Sequence, residues 1–246
     1  MTQIFAHRGS AGTHPENTMI SFTEALGSGA EGIELDVQLT KDGHPVIIHD
    51  EKVDRTTDGR GYVRNMTLSE IKKLNASHSF QSAYGKTDVP SLAEFFDWFR
   101  VTNLICNIEL KNGVFLYPGM EEKVIEMIRR YGLEERIILS SFNHYSIVHS
   151  HMLAPEIEVA PLYSNGLYMP WVYAKAIGGR GIHPSIKTVN ASIIRDSMAA
   201  GIAVRPYTVN KEAQMEELFR LHCSAIITDF PKAAAVLREK IRGRTR

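Results

Sequence analysis

Four short runs of this chain gather ionisable side chains at the ends of apolar, strand-like stretches: His7 with Arg8, Glu34 with Asp36, His49 with Asp50, and Glu109 with Lys111. Glu34 and Asp36 are two apart in an extended run, so their side chains share one face while Leu35 and Val37 take the other. Two carboxylates on an inward face repel each other and lose hydration unless a cation joins them. Glu109 sits on another strand-like run and completes a three-carboxylate set. All-oxygen donors suit one hard divalent cation, Mg2+ or Ca2+, better than Zn2+. The competing reading is a solvated or salt-bridged charge pair on a sheet edge. The matching position of Glu109 and Lys111 counts against it.

His7 and His49 are candidates for the catalytic acid and base. Hydrolysis of a phosphodiester needs one proton taken from the nucleophile and one given to the leaving alkoxide, and imidazole titrates near neutrality. Arg8 and Lys111 lie beside the carboxylates. They either neutralise them or hold phosphate oxygens and the charge that develops there. Other polar residues carry blander readings. His14, His44, His78, His144 and His222 fall in loops or on helix surfaces, and His149 and His151 on a helix facing different ways. His183 ends a strand and stays a pocket candidate. Tyr207 and Asn210 are pocket lining or core, and Asp229 fixes the turn before Pro231.

The elements that position these groups follow a regular alternation. Strand-like runs at 4–9, 32–39, 104–110, 136–142, 156–163, 181–185, 203–209 and 225–230 are separated by segments of helical period such as 16–29, 120–132, 191–201 and 211–222. Gly27, Gly29, Gly132 and Gly201 stand where helices should end. Ser91 to Glu94 and Thr67 to Glu70 read as capping boxes. Eight strand–helix repeats in one chain of 246 residues specify the α/β class and a (β/α)8 barrel, read as a single domain over 1–246. An open doubly wound sheet lacks support, since no Gly-x-Gly-x-x-Gly loop follows the first strand. A segment at about 51–90 is too long for a barrel loop and reads as a small insertion after the second strand, placed to wall the catalytic face. One geometric demand remains. Adjacent strand residues face opposite sides, so His7 and Arg8 meet one substrate only if the chain curls at the strand's end.

Composition narrows the partners. The 28 basic and 28 acidic residues balance, which gives no electrostatic pull toward nucleic acid or an anionic membrane. The basic C-terminal run reads as a solvated helix end. No run is long and apolar enough to span a membrane, no secretory signal is visible, and a cytoplasmic location is the expectation. Cys106 and Cys223 lie in apolar runs as core residues, with no disulfide framework or metal motif. The sequence carries no reading of oligomeric state.

Taken in order, His7-Arg8-Gly9, Glu34-Leu-Asp36, His49-Asp50 and Glu109-Leu-Lys111 resemble the glycerophosphodiester phosphodiesterases. The likeness extends over nearly the whole chain, through segments 15–18, 32–43, 46–61, 89–96 and 205–210. It implies a (β/α)8 barrel with a small insertion and a divalent cation on Glu34, Asp36 and Glu109. It further implies acid/base roles for His7 and His49 and phosphate contacts from Arg8 and Lys111. The implied reaction turns a small-molecule glycerophosphodiester, such as glycerophosphocholine or glycerophosphoethanolamine, and water into glycerol 3-phosphate and an alcohol. Tyr207 stands where many relatives carry tryptophan, which bears on the head group. The nearest alternatives act on lysophospholipids, as a lysophospholipase D does, or on glycerophosphoinositol, on the same barrel. An enolase-type lyase would place its carboxylates on three successive strands, whereas Glu34 and Asp36 share one. A scaffold barrel has no use for so many buried charges.

Overall fold

The computed structural model describes residues 1–77 and 80–244. His78 and the last two residues of the basic terminus, read as surface positions, lie outside them. The chain runs β1 (Gln3–His7), α1 (Met19–Gly27), β2 (Gly32–Leu39), β3 (Pro45–Ile47), α2 (Leu68–Ile71), α3 (Gln81–Tyr84), α4 (Leu92–Phe99), β4 (Ile105–Leu110) and α5 (Met120–Tyr131). It continues with β5 (Ile137–Ser141), α6 (His144–Leu153), β6 (Glu158–Tyr163), α7 (Pro170–Ala176), β7 (Gly181–Pro184), α8 (Ala191–Ala199), β8 (Ala203–Val204), α9 (Glu212–Arg220), β9 (Ala225–Thr228) and α10 (Pro231–Arg244).

Parallel pairing runs β8-β7-β6-β5-β4-β2-β1-β9, with β3 set antiparallel on β2. Val209 N–H donates to Ile227 O at 2.8 Å and Ile227 N–H to Pro206 O at 3.0 Å, which brings the two ends together. The result is a nearly closed eight-stranded parallel barrel, as the alternation of elements predicts. All eight positions of β2 are buried, as a strand covered on both faces requires. Ile4 and Ala6 join the large core between strands and helices, while Phe5 packs in a separate cluster with Ile138, Ala160, Ala225 and Ile227. That alternation puts His7, which has the parity of Phe5, at the mouth of the barrel interior.

Both capping boxes form: Ser91 and Glu94 open α4, and Thr67 and Glu70 open α2. Gly132 ends α5 in the left-handed region at φ 64, with its N–H on the Arg129 and Ile128 carbonyls. Seven of the eight strands are shorter than their strand-like runs suggest, and only Gly32–Leu39 keeps its full length. β1 stops at His7, and the run 203–209 keeps regular pairing only at Ala203–Val204, because Pro206 has no N–H to continue the ladder. Between β3 and α4 the chain makes turns, a 3-10 turn at Val63–Asn65 and the short α2 and α3. This segment packs Val53, Val63, Ile71, Ala76 and Val89 into a small cluster with Val46 and Ile48. Among the described residues, no helix is long and apolar enough to cross a membrane.

Candidate active site

The curl that His7 and Arg8 require is present. Arg8 has φ 50 and Gly9 φ 78, so the chain leaves extended geometry one residue after β1. At Gly9 a side chain is excluded twice, by the left-handed backbone and by Ser21, whose backbone carbon would lie 2.7 Å from a Cβ. The turn delivers both ends of Arg8. Its backbone N–H donates to Glu34 Oε2 at 2.9 Å, and its guanidinium reaches Glu16 Oε1 at 2.8 Å and Asp36 Oδ2 at 3.3 Å. Burial opposes the charge on Arg8, but the carboxylates of Asp36, Glu16 and Glu34 outweigh it and hold the proton more tightly than usual.

Strand register places the three carboxylates together. Asp36 is the lateral partner of Glu109, and Glu34 is the partner of His7. One oxygen from each of Glu34, Asp36 and Glu109 lies within 4.8 Å of the others, and all three residues are buried. Burial, then the charges of Asp36 and Glu109, raises the Glu34 pKa well above the carboxylate range. Burial and the Asp36 charge likewise push Glu109 up to about 7. Asp36 goes the other way: burial opposes ionisation, but Arg8, His49, Lys111 and a 2.9 Å bond from Asn17 Nδ2 bring it down to about 2. Its second oxygen, Oδ1, is buried without a hydrogen bond and has Lys111 Nζ at 3.9 Å. Three carboxylates against two nearby cations, with one oxygen unpaired, form a set of oxygen donors that could hold a hard divalent cation.

Each candidate histidine is backed by a carboxylate. His7 Nδ1 stands 2.6 Å from Asp229 Oδ1, with Nε2 3.9 Å from Glu34 Oε2. Asp229 is held in turn by Asn210, which donates from Nδ2 to Oδ2 and accepts the Asp229 N–H at 3.0 Å. His49 Nδ1 stands 2.6 Å from Asp50 Oδ1, and its Nε2 is 3.2 Å from Lys111 Nζ. An ammonium only donates, so this network assigns the His49 proton to Nδ1 and the lone pair to Nε2. Burial, with Arg8 and Lys111 adding to it, lowers the His49 pKa. Lys111 also donates to Glu109 Oε1 at 2.8 Å. Burial works against its charge, yet Glu109 and Asp36 raise its pKa. Pairwise contacts thus link all seven residues singled out in the sequence: His7, Arg8, Glu34, Asp36, His49, Glu109 and Lys111.

The sequence reading missed the supporting residues. Asp229, assigned to a turn, orients His7. Asp50 shows in the sequence only as the neighbour of His49. Glu16 and Arg55 were given no role, yet Arg55 donates to Glu16 Oε1 and Oε2 at 2.8 and 2.7 Å and to Asp50 Oδ2 at 2.7 Å. Arg55 belongs to the segment 51–90 and ties it to both sides of the site. The spacing between these residues carried no signal, because their contacts are tertiary. Tyr207 is half-buried; burial and then Glu109 raise its pKa to about 12, and its ring meets that of Phe142 at 6.0 Å. His183 is fully buried with neither ring nitrogen hydrogen-bonded, so it lines the barrel interior instead of an open pocket.

Comparison with known proteins identifies the family. The family model described as the glycerophosphoryl diester phosphodiesterase family matches residues 7–233. A glycerophosphodiester phosphodiesterase from Bacillus altitudinis is 45% identical over 98% of this chain and 100% of its own length. One from Caldanaerobacter subterraneus is 43% identical over 94% and 95%. An Oleispira antarctica phosphodiesterase, solved in complex with the product sn-glycerol-3-phosphate, superposes with a TM-score of 0.86 at 30% identity, covering 97% of each chain. With residues 7–233 matched and relatives this similar along their full length, the chain belongs to the glycerophosphoryl diester phosphodiesterase family and is an enzyme of that family.

Proposed function

We propose that this enzyme hydrolyses glycerophosphodiesters to glycerol 3-phosphate and an alcohol, with His49 as general base and His7 as general acid. The observation that carries the reading is the pair of carboxylate-backed histidines beside one buried three-carboxylate cluster. The product bound to the Oleispira antarctica relative supports the substrate class.

Glu34, Asp36 and Glu109 would hold one divalent cation, Mg2+ or Ca2+, which when bound supplies Lewis-acid polarisation of the phosphoryl group. Arg8 and Lys111 hold phosphate oxygens and take up the charge that grows on them. His49 presents an unprotonated Nε2 and draws the proton from the nucleophile. That nucleophile is water, or the glycerol 2-hydroxyl, which expels the alcohol by closing a cyclic phosphate that water then opens. His7 delivers a proton from Nε2 to the leaving alkoxide while Asp229 keeps its Nδ1 side occupied. The segment 51–90 acts as an insertion that walls the site, with Arg55 as its tie.

A cation-titrated assay on a panel of glycerophosphodiesters, with EDTA as control, tests the reading. Cation-dependent release of glycerol 3-phosphate is expected; full activity in EDTA would overturn the metal assignment. A second reading, hydrolysis of lysophospholipids, is favoured by exposed apolar side chains after β4, β5 and β6: Leu116, Tyr145 and Tyr168 are 74%, 89% and 94% exposed. Choline release from lysophosphatidylcholine and none from glycerophosphocholine would select it.

A further inference from the structure

We infer that Gln38 and Tyr117 are positioning residues for His49; this rests on the acid/base reading above. His49 and Asp50 lie beyond the end of β3, where no strand ladder fixes them. The carbonyls of Ile48, His49 and Asp50 instead converge on the amide of Gln38, at 3.3, 3.0 and 2.6 Å from Nε2. Gln38 is fully buried on β2, two residues past the metal-cluster residue Asp36. A strand buried on both faces is a stiff base from which to hold a loop.

Tyr117 fixes the other end of that amide. Its hydroxyl donates to Gln38 Oε1 at 2.9 Å. With Oε1 engaged, both N–H groups of Gln38 turn to the carbonyls, and a flipped amide would set oxygen against oxygen. Tyr117 has φ 41, a left-handed geometry that a non-glycine residue keeps only when its surroundings over-determine it. Here the ring is buried and packs edge-on to Phe115 at 6.4 Å, with the Arg64 guanidinium 3.6 Å above Phe115. The loop after β4 therefore acts on His49 twice, through Lys111 at Nε2 and through Tyr117 and Gln38 at the backbone. Neither Gln38 nor Tyr117 need touch substrate. Their effect falls on turnover, because a displacement of about 1 Å in a proton-transfer group costs on the order of a hundredfold.

The test uses the full chain with its cation, glycerophosphocholine as substrate, and Gln38→Met and Tyr117→Phe variants. Gln38→Met is expected to lower kcat at least about tenfold with KM within about threefold, since Arg8 and Lys111 still bind phosphate. Tyr117→Phe, which removes one bond, is expected to show the same split with a smaller drop. Proton NMR of histidine-labelled protein supplies a second readout: the His49 Nδ1–H bonded to Asp50, assigned by its loss in His49→Ala, should broaden or exchange faster in both variants. Where Gln38→Met does not fold, Tyr117→Phe carries both readouts. Wild-type kcat with an unchanged Nδ1–H signal in a folded variant would overturn the assignment. If the wild-type enzyme itself releases nothing from any glycerophosphodiester, the proposed function fails, and the Nδ1–H signal alone decides the role of Gln38 and Tyr117.

Discussion

His7 and Asp229 are 222 positions apart in the chain and 2.6 Å apart in the structure. β1, which ends in His7, and β9, which ends one residue before Asp229, are neighbours only because the barrel closes. Asp229 stays ionised: burial opposes its charge, but the bond to His7 and the nearby positive groups pull its pKa below the usual range. Replacing Asp229 by asparagine keeps the shape, removes the charge and leaves the His7 tautomer undefined. We expect kcat to fall by roughly two to three orders of magnitude with little change in KM. Steady-state kinetics on Asp229→Asn decide this, and a kcat within a few-fold of wild type would rule out an orienting role.

Arg55 should matter more than its exposed position suggests. It is half-exposed, yet it bridges Glu16, which holds Arg8, and Asp50, which holds His49. Burial works against ionisation of Asp50, and the bonds from Arg55 and His49 overcome it and bring its pKa down to about 2. In Arg55→Ala both acidic groups lose a partner. A fall in kcat/KM of roughly ten- to a hundredfold is expected, with thermal stability reduced by only about 1 kcal/mol because exposed ion pairs contribute little. A loss of stability with full specific activity of the folded fraction would contradict the prediction.

Cation affinity should depend on pH. Glu109 titrates at about 7 in the folded chain, against 4.5 for the free group, because of burial first and the Asp36 charge second. A carboxyl whose pKa is higher folded than unfolded binds more protons in the folded state, so cation-free protein loses stability as pH rises between these two values. Cation binding must displace that proton. Apparent affinity therefore rises with pH through about 7, the raised Glu34 adding to the same trend, with proton release on binding below that point. Calorimetry in two buffers of different ionisation enthalpy measures both, and an affinity flat from about pH 5 to about pH 8 would argue against ligation through Glu109.

Gly9 makes the curl at the first strand possible. A Gly9→Ala substitution meets both a left-handed backbone and the Ser21 backbone, so we expect a loss of roughly 2–4 kcal/mol in unfolding free energy. Chemical denaturation measures it, and an unchanged midpoint would show that the turn relaxes without cost.

The fold was largely legible because its signals are local. Strand and helix periods and the Ser91 and Thr67 caps act within a few residues of themselves. The carboxylate cluster was legible for the same reason: residues two apart on a strand share a face, and Glu109 sits in register with Asp36. Asp229, Glu16, Arg55 and Gln38 were not legible as site residues, and Asn210 was legible only as possible pocket lining. Each reaches the site through closure of the barrel, through the segment 51–90 or through a side chain bonded to distant backbone, and none of these leaves a periodic trace. The turn at Arg8 follows from strand alternation, which sets His7 and Arg8 on opposite faces. The residue that makes it, Gly9, is fixed by a contact with Ser21 that spacing alone does not show.

The most direct measurement of the central claim is the initial rate of glycerol 3-phosphate release from glycerophosphocholine by His7→Ala and by His49→Ala, with saturating cation and circular dichroism to confirm folding. Losing the general acid or the general base should slow each variant by about a hundredfold to ten-thousandfold. Rates near wild type in both variants would contradict the two-histidine mechanism.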